Sequence, residues 1–140
     1  MLIVEDEPLI LFYAADLAEQ AGFAVEEAGN AEEAISILES HRDIRVVVSD
    51  IRMPGAFDGL GLAELIRQRW PEIEVILTSG HARAEDADLT GATFLPKPYT
   101  PQEFVTTLRD HSGPGEPSRN QSAEVVYAQF ADRQGSAMGR

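Results

Sequence analysis

Five times between residues 1 and 111, a short apolar run is followed by a stretch with turn or helix character. The runs lie at residues 2–4, 23–25, 46–48, 75–77 and 93–95 and read as strands. Strand and helix in alternation imply a parallel sheet, because each right-handed crossover returns the chain to the same end of the sheet and lays a helix against one face. The expected class is therefore α/β: a five-stranded parallel sheet with helices on both faces. Ligands of such sheets bind beyond the carboxyl ends of the strands.

The helix signals have physical causes. Pro8 suits a first helical turn, Ile10, Ala14, Leu17 and Ala21 share one face, and Gly22 stops the helix. Asn30 and Glu33 have capping-box spacing before a stripe of Ala31, Ile35 and Leu38. A third helix is expected from about Gly59, burying Leu62, Leu65 and Ile66 and ending before Pro71. Thr100, Pro101 and Glu103 open a last helix through Phe104 and Leu108. Between His81 and Gly91 the apolar stripe nearly vanishes, so the fourth helix of the series is expected to be short or irregular.

Composition narrows the function. A chain of 140 residues, 44% hydrophobic, supports one ordinary core. A net charge of −13 argues against nucleic acid, whose phosphates require clustered Lys and Arg. The absence of cysteine removes disulfides and thiolate metal sites. The opening MLIVEDEP lacks the basic start of a signal peptide and no apolar run is long enough to span a bilayer, so a cytoplasmic protein that avoids membranes is expected. From residue 112 the sequence turns to Gly, Pro and Ser, and its charges cancel: Glu116, Glu124 and Asp132 against Arg119, Arg133 and Arg140. The expected division is a domain over residues 1–111 and a flexible tail over residues 112–140 that supplies no site residue.

Chemistry gathers where the strands end. Glu5 and Asp6 follow the first run, Asp50 follows the third, Thr78 and Ser79 the fourth, and Lys97, the only lysine in the chain, the fifth. Carboxylates within about 5 Å repel by roughly 3 kcal/mol per pair at an effective dielectric near 20, so such a cluster invites a cation. Oxygen donors without cysteine or a well-placed histidine favour Mg²⁺ over zinc. A metal-held phosphoryl donor beside Asp50 could pass its group to that side chain as an acyl phosphate. Lys97, between Pro96 and Pro98, offers a compact charge able to pair with Asp50 beforehand and with a phosphoryl oxygen afterwards. A cis bond between Lys97 and Pro98 would turn the chain into the last helix and hold the amine inward.

VEDEP, SDIRMPG, LTSG and LPKPYT, in this order on a chain of β-then-α units, resemble the receiver domain of bacterial two-component response regulators over residues 1 to about 111. The resemblance implies a flavodoxin-like, doubly wound fold and a phosphoryl-accepting switch rather than an enzyme with turnover. It makes Asp50 the phosphoacceptor, Asp6 a direct Mg²⁺ ligand, Glu5 a group acting on the ion mainly through water, and the Arg52 carbonyl a further ligand. Lys97 becomes the phosphate-sensing lysine and Phe94 the switch aromatic. The switch hydroxyl falls on Ser79, since GAFDG is one residue longer than the usual loop, with Thr78 as the alternative. The implied partners are a sensor histidine kinase or histidine phosphotransfer protein and an unidentified downstream protein. The chain reads as a stand-alone receiver with no appended DNA-binding or enzymatic domain.

Competing readings are weaker. A haloacid-dehalogenase-type phosphatase also pairs an Asp nucleophile with Mg²⁺, but it needs an acid two residues on, where this chain has Arg52. A flavodoxin-like phosphate-binding module needs Ser, Thr and Gly after the first strand, where this chain has EDEP. Glu7 fits the first turn of a helix, Asp58 and Gly59 fit turn chemistry, and His41, His81 and His111 receive no role.

Overall fold

The computed structural model describes residues 1–80 and 91–112. The expected short helix between His81 and Gly91 and the tail beyond residue 112 lie outside the described residues, apart from Gly91 itself. The elements are β1 (Leu2–Val4), α1 (Pro8–Gln20), β2 (Glu26–Ala28), α2 (Ala31–Ser40), β3 (Val46–Asp50), α3 (Gly59–Arg69), β4 (Glu74–Ser79), β5 (Thr93–Pro96) and α4 (Pro101–Ser112). All ladders are parallel and the sheet order is β2-β1-β3-β4-β5. The order reverses between β1 and β3, which opens a crevice at their carboxyl ends.

Alternation along the strands divides the core into two layers. Ile3, Val46, Val48 and Ile76 pack with Ala14, Ala15 and Ala18 of α1 and Phe104 and Leu108 of α4. On the other face Leu2, Val4 and Val47 meet Ala31, Ala34 and Leu38 of α2 and Leu62 and Ile66 of α3. Strands covered on both faces read as continuous apolar runs, which is why β1 and β3 are conspicuous in the sequence.

The local expectations hold in kind and shift in detail. Thr100 Oγ1 accepts the Glu103 amide at 3.0 Å, and Glu103 Oε1 accepts the Thr100 amide at 2.8 Å, a complete capping box. Asn30 Oδ1 accepts the Glu33 amide at 2.8 Å, but Glu33 reaches back to the Gly29 amide at 2.7 Å, one residue earlier than a standard box. On α1 the buried face is Ala14, Ala15 and Ala18, while Ile10 and Leu17 are only partly buried. Alanines allow the helix to lie close to the sheet, and the larger side chains flank that contact.

The second strand is not at residues 23–25. Phe23 is buried in the core, but pairing with β1 begins at Glu26, where the Glu26 amide donates to the Met1 carbonyl at 2.9 Å. β2 is an edge strand that carries two exposed glutamates, so hydrophobicity marks the approach to it rather than the strand itself. On α3, Ala63 is buried with Leu62 and Ile66, and Leu65 lies at the margin.

Candidate functional site

The parallel register delivers the site. Val4 stands opposite Ser49, Asp50 opposite Thr78, and Ser79 opposite Pro96, so residues just past β1, β3, β4 and β5 emerge at one level. Backbone bonds continue the ladders past the strand ends: Glu5 donates to Ala28 at 3.0 Å, Ile51 to Thr78 at 2.9 Å, and Lys97 to Ser79 at 3.0 Å. Each chemical group is therefore held by main chain.

Glu5, Asp6 and Asp50 place carboxylate oxygens within 4.8 Å of one another. The Glu5 side chain is 5% exposed and that of Asp50 12%. Lys97 Nζ lies 2.9 Å from Glu5 Oε1 and 3.6 Å from Asp50 Oδ1, and Glu5 Oε2 accepts the Glu7 amide at 3.2 Å. Lys97 thus pairs more closely with Glu5 than with the Asp50 partner expected from the sequence. Burial raises the pKa of Glu5, offset by the hydrogen bond and charge of Lys97 and reinforced by Asp50. Burial likewise raises that of Asp50, with Lys97 opposing and Asp6 adding to the rise. Three acids facing one ammonium form an electron-rich pocket whose oxygen donors suit a hard divalent cation.

Two supporting features were not anticipated. Gly59, expected as turn chemistry at the start of the third helix, also packs against the back of the Asp50 segment: its amide donates to the Ile51 carbonyl at 2.8 Å, and a Cβ there would stand 2.8 Å from Ile51 Cα. Asp58 caps the same helix, its Oδ1 accepting the Gly61 amide at 3.1 Å. Tyr99 stacks on Phe104 with ring centroids 5.0 Å apart, and its phenol is pushed up to about 12, chiefly by burial and then by the negative charge of Glu5. Their signals in the sequence were an Asp-Gly pair and an aromatic five residues before Phe104.

The remaining expected residues fall as follows. Thr78 and Ser79 are both buried at the end of β4, Thr78 opposite Asp50 and Ser79 bonded through its carbonyl to the Lys97 amide. Phe94 is partly buried on β5 opposite Leu77. Arg52 is exposed. The Lys97–Pro98 bond is cis. His111 acquires a structural part, joining Thr107 O through Nδ1 and Thr93 Oγ1 through Nε2, each at 2.9 Å.

Residues 1–109 match the family model of the response regulator receiver domain. The chain is 33% identical over 114 residues to a putative response regulator NtrX-like of Rickettsia felis, covering 78% of this chain and 24% of the relative. It is 33% identical over 115 residues to the sensor kinase CckA of Brucella abortus, covering 79% of this chain and 12% of the relative. The chain thus spans a quarter or less of the length of these two curated relatives. Among solved structures, the receiver domain of NtrX from Brucella abortus superposes with a TM-score of 0.74 at 29% identity, covering 81% of this chain and 98% of that one. A CheY-like receiver domain protein from Methanospirillum hungatei gives 0.75 at 26% identity, covering 84% and 95%.

Proposed function

The chain belongs to the response regulator receiver domain family of two-component signalling, and we propose that Asp50 is the side chain that accepts the phosphoryl group. One observation carries the assignment. Asp50, at the end of the central strand β3, lies within 4.8 Å of two further carboxylates and 3.6 Å from an ammonium. The phosphatase alternative has no support, since exposed Arg52 stands where its general acid would be.

The donor we propose is the phosphohistidine of a sensor kinase or phosphotransfer protein. One Asp50 oxygen forms the new O–P bond as the P–N bond breaks, and the electron pair stays on the imidazole nitrogen. Three clustered carboxylates fit Mg²⁺: Asp6, Asp50 and the Arg52 carbonyl would hold it, Glu5 would act on it mainly through water, and the ion would supply positive charge for the donor's phosphoryl oxygens. Lys97 then exchanges carboxylate partners for a phosphoryl oxygen, Ser79 closes from β4, and Phe94 follows on β5. Thr78 is the alternative hydroxyl. The altered surface is read by a downstream protein.

This is a stoichiometric acceptor that assists its own phosphorylation and dephosphorylation, not an enzyme with a separate substrate. No helix among the described residues is long and apolar enough to cross a membrane, and we assign the domain to the cytoplasm. Its boundary is taken at residue 111, with residues 112–140 outside the chemistry.

With acetyl phosphate and Mg²⁺ the intact mass should rise by one phosphoryl group, in an adduct lost in alkali. Asp50→Asn should show no such gain; stoichiometric labelling of that variant would overturn the assignment. Asp6→Ala should lose most of the response to Mg²⁺, and an unchanged titration would remove the proposed ion site.

A further inference from the structure

The loop from β3 to α3 leaves the acidic pocket with few anchors. Its base is closed by the Gly59 amide, which donates to the Ile51 carbonyl at 2.8 Å. Met53 and Phe57 pack, partly buried, against the core layer that holds Leu38 of α2 and Leu62 of α3, while Arg52, Pro54, Gly55 and Ala56 are exposed. Among the described residues, 52–57 make one hydrogen bond to another element: the Ala56 amide donates to Glu32 Oε2 at 2.8 Å. Donor and acceptor stand 24 positions apart in the chain, so this is a tertiary tie and not turn chemistry.

Glu32 is built to hold such a tie. It lies in the first turn of α2, where the free amides of a helix end favour negative charge. The helix start around it is fixed: Asn30 Oδ1 accepts the Glu33 amide at 2.8 Å, Glu33 Oε1 accepts the Gly29 amide at 2.7 Å, and Ala31 and Ala34 are buried beneath. The Ala56 amide holds the Glu32 carboxyl below its ordinary pKa, so the acceptor is ionised and the bond is charge-assisted. The loop in turn is shaped to receive the carboxylate. Gly55 has a φ of +124°, where L side chains are strained, and a Cβ there would stand 2.9 Å from Glu32 Oε1.

We propose that Glu32 is a positioning residue for the ion site: by holding Ala56 it fixes the loop whose first residue, Arg52, offers its carbonyl to Mg²⁺. The inference rests on the Mg²⁺ reading given above and deepens it. Arg52 lies past the last ladder bond of β3, that of Ile51 to Thr78, so the strand alone does not set where its carbonyl stands. A carbonyl adds affinity for a hard ion when it is held in place beforehand; a loop that must be ordered on binding gives part of that affinity back. Glu32 acts through the loop rather than by contact with the acceptor.

Mg²⁺ titrations of the full chain, followed by the backbone amide shifts of Asp50, Ile51 and Arg52, test this. Glu32→Ala should raise the Kd about 3- to 10-fold, less than the roughly 10–100-fold of groups bonded directly to a ligand. Glu32→Gln removes the charge but keeps an acceptor oxygen, so it should stay within about twofold of the wild type. With the metal chelated, amide order parameters at Arg52, Met53, Gly55 and Ala56 should fall in the alanine variant and hold in the glutamine one. Wild-type affinity in Glu32→Ala overturns the proposal. So does an equal loss in both variants, because only the field of a nearby charge would then be at work. Asp6→Ala separates this from the ion reading itself: a wild type without saturable shifts, or an Asp6→Ala titration that matches it, overturns the ion site and the part of Glu32 with it.

Discussion

Lys97 Nζ lies 2.9 Å from Glu5 Oε1 and 3.6 Å from Asp50 Oδ1, so the lysine beside the proposed acceptor rests chiefly on a neighbouring acid. Glu5 is buried and its second oxygen is occupied by the Glu7 amide, which fixes where the lysine waits. A phosphoryl group on Asp50 would draw it away only through a difference in affinity between the two arrangements.

Lys97→Ala should therefore still accept phosphate, slowly, while losing most of the phosphorylation-induced amide shifts at Ser79 and Phe94. Lys97→Arg should restore them in part, because a guanidinium fork is wider than the ammonium it replaces. Wild-type shifts in the alanine variant would reduce Lys97 to a structural role.

Asp50→Asn should stabilise the metal-free protein. It relieves repulsion from Glu5 and Asp6 within 4.8 Å and gives up the pairing with Lys97 at 3.6 Å. The balance is a gain of about 2 kcal/mol at an effective dielectric near 20. Urea melts in chelator should show it, and Mg²⁺ should narrow the gap by stabilising the wild type alone. An unchanged or lower midpoint for the variant in chelator would contradict the strained pocket.

Gly59→Ala should cost about 1–3 kcal/mol and slow phosphoryl acceptance, because the added Cβ meets main chain that cannot move independently of Asp50. It would stand 2.8 Å from Ile51 Cα. Denaturant melts and labelling rates read the two effects. A variant as stable as the wild type would mean that α3 does not bear on the acceptor segment.

Tyr99 should titrate near 12 rather than at the ordinary value of 10. Burial and the charge of Glu5 oppose its tyrosinate, so the raised folded value gives stability that is intact below the ordinary value and lost as pH rises through the folded one. Subtracting the alkaline absorbance titration of Tyr99→Phe from that of the wild type isolates this phenol. A difference curve centred on the ordinary value in a still-folded protein would refute the burial argument.

What the sequence made legible was local or repeated. Thr100 and Glu103 lie three apart and need only each other, so their cap is readable without the fold. Strands β1 and β3 are buried on both faces and announce themselves, and the acids and lysine could be assigned to one end of the sheet by parallel topology alone. The choice of Glu5 over Asp50 by Lys97 was not readable, because it turns on tenths of an ångström set by tertiary packing. Nor was the solvent-facing side of α1: Leu9 and Phe12 look like core residues until Ala14, Ala15 and Ala18 take the sheet. Gly59 concealed its part because a glycine after an aspartate serves an ordinary turn equally well.

The edge strand β2 has a bearing on behaviour at high concentration. Among the described residues no strand pairs with its outer backbone groups, and a flat apolar edge in that position would offer a template to which further chains could add. Glu26 and Glu27 are both exposed on this strand, so two copies meeting edge to edge would align like charges instead. The residues that hid β2 from a hydrophobicity reading are also the ones that set like charges along this side of the sheet, and replacing both with valine should promote lateral assembly relative to the wild type.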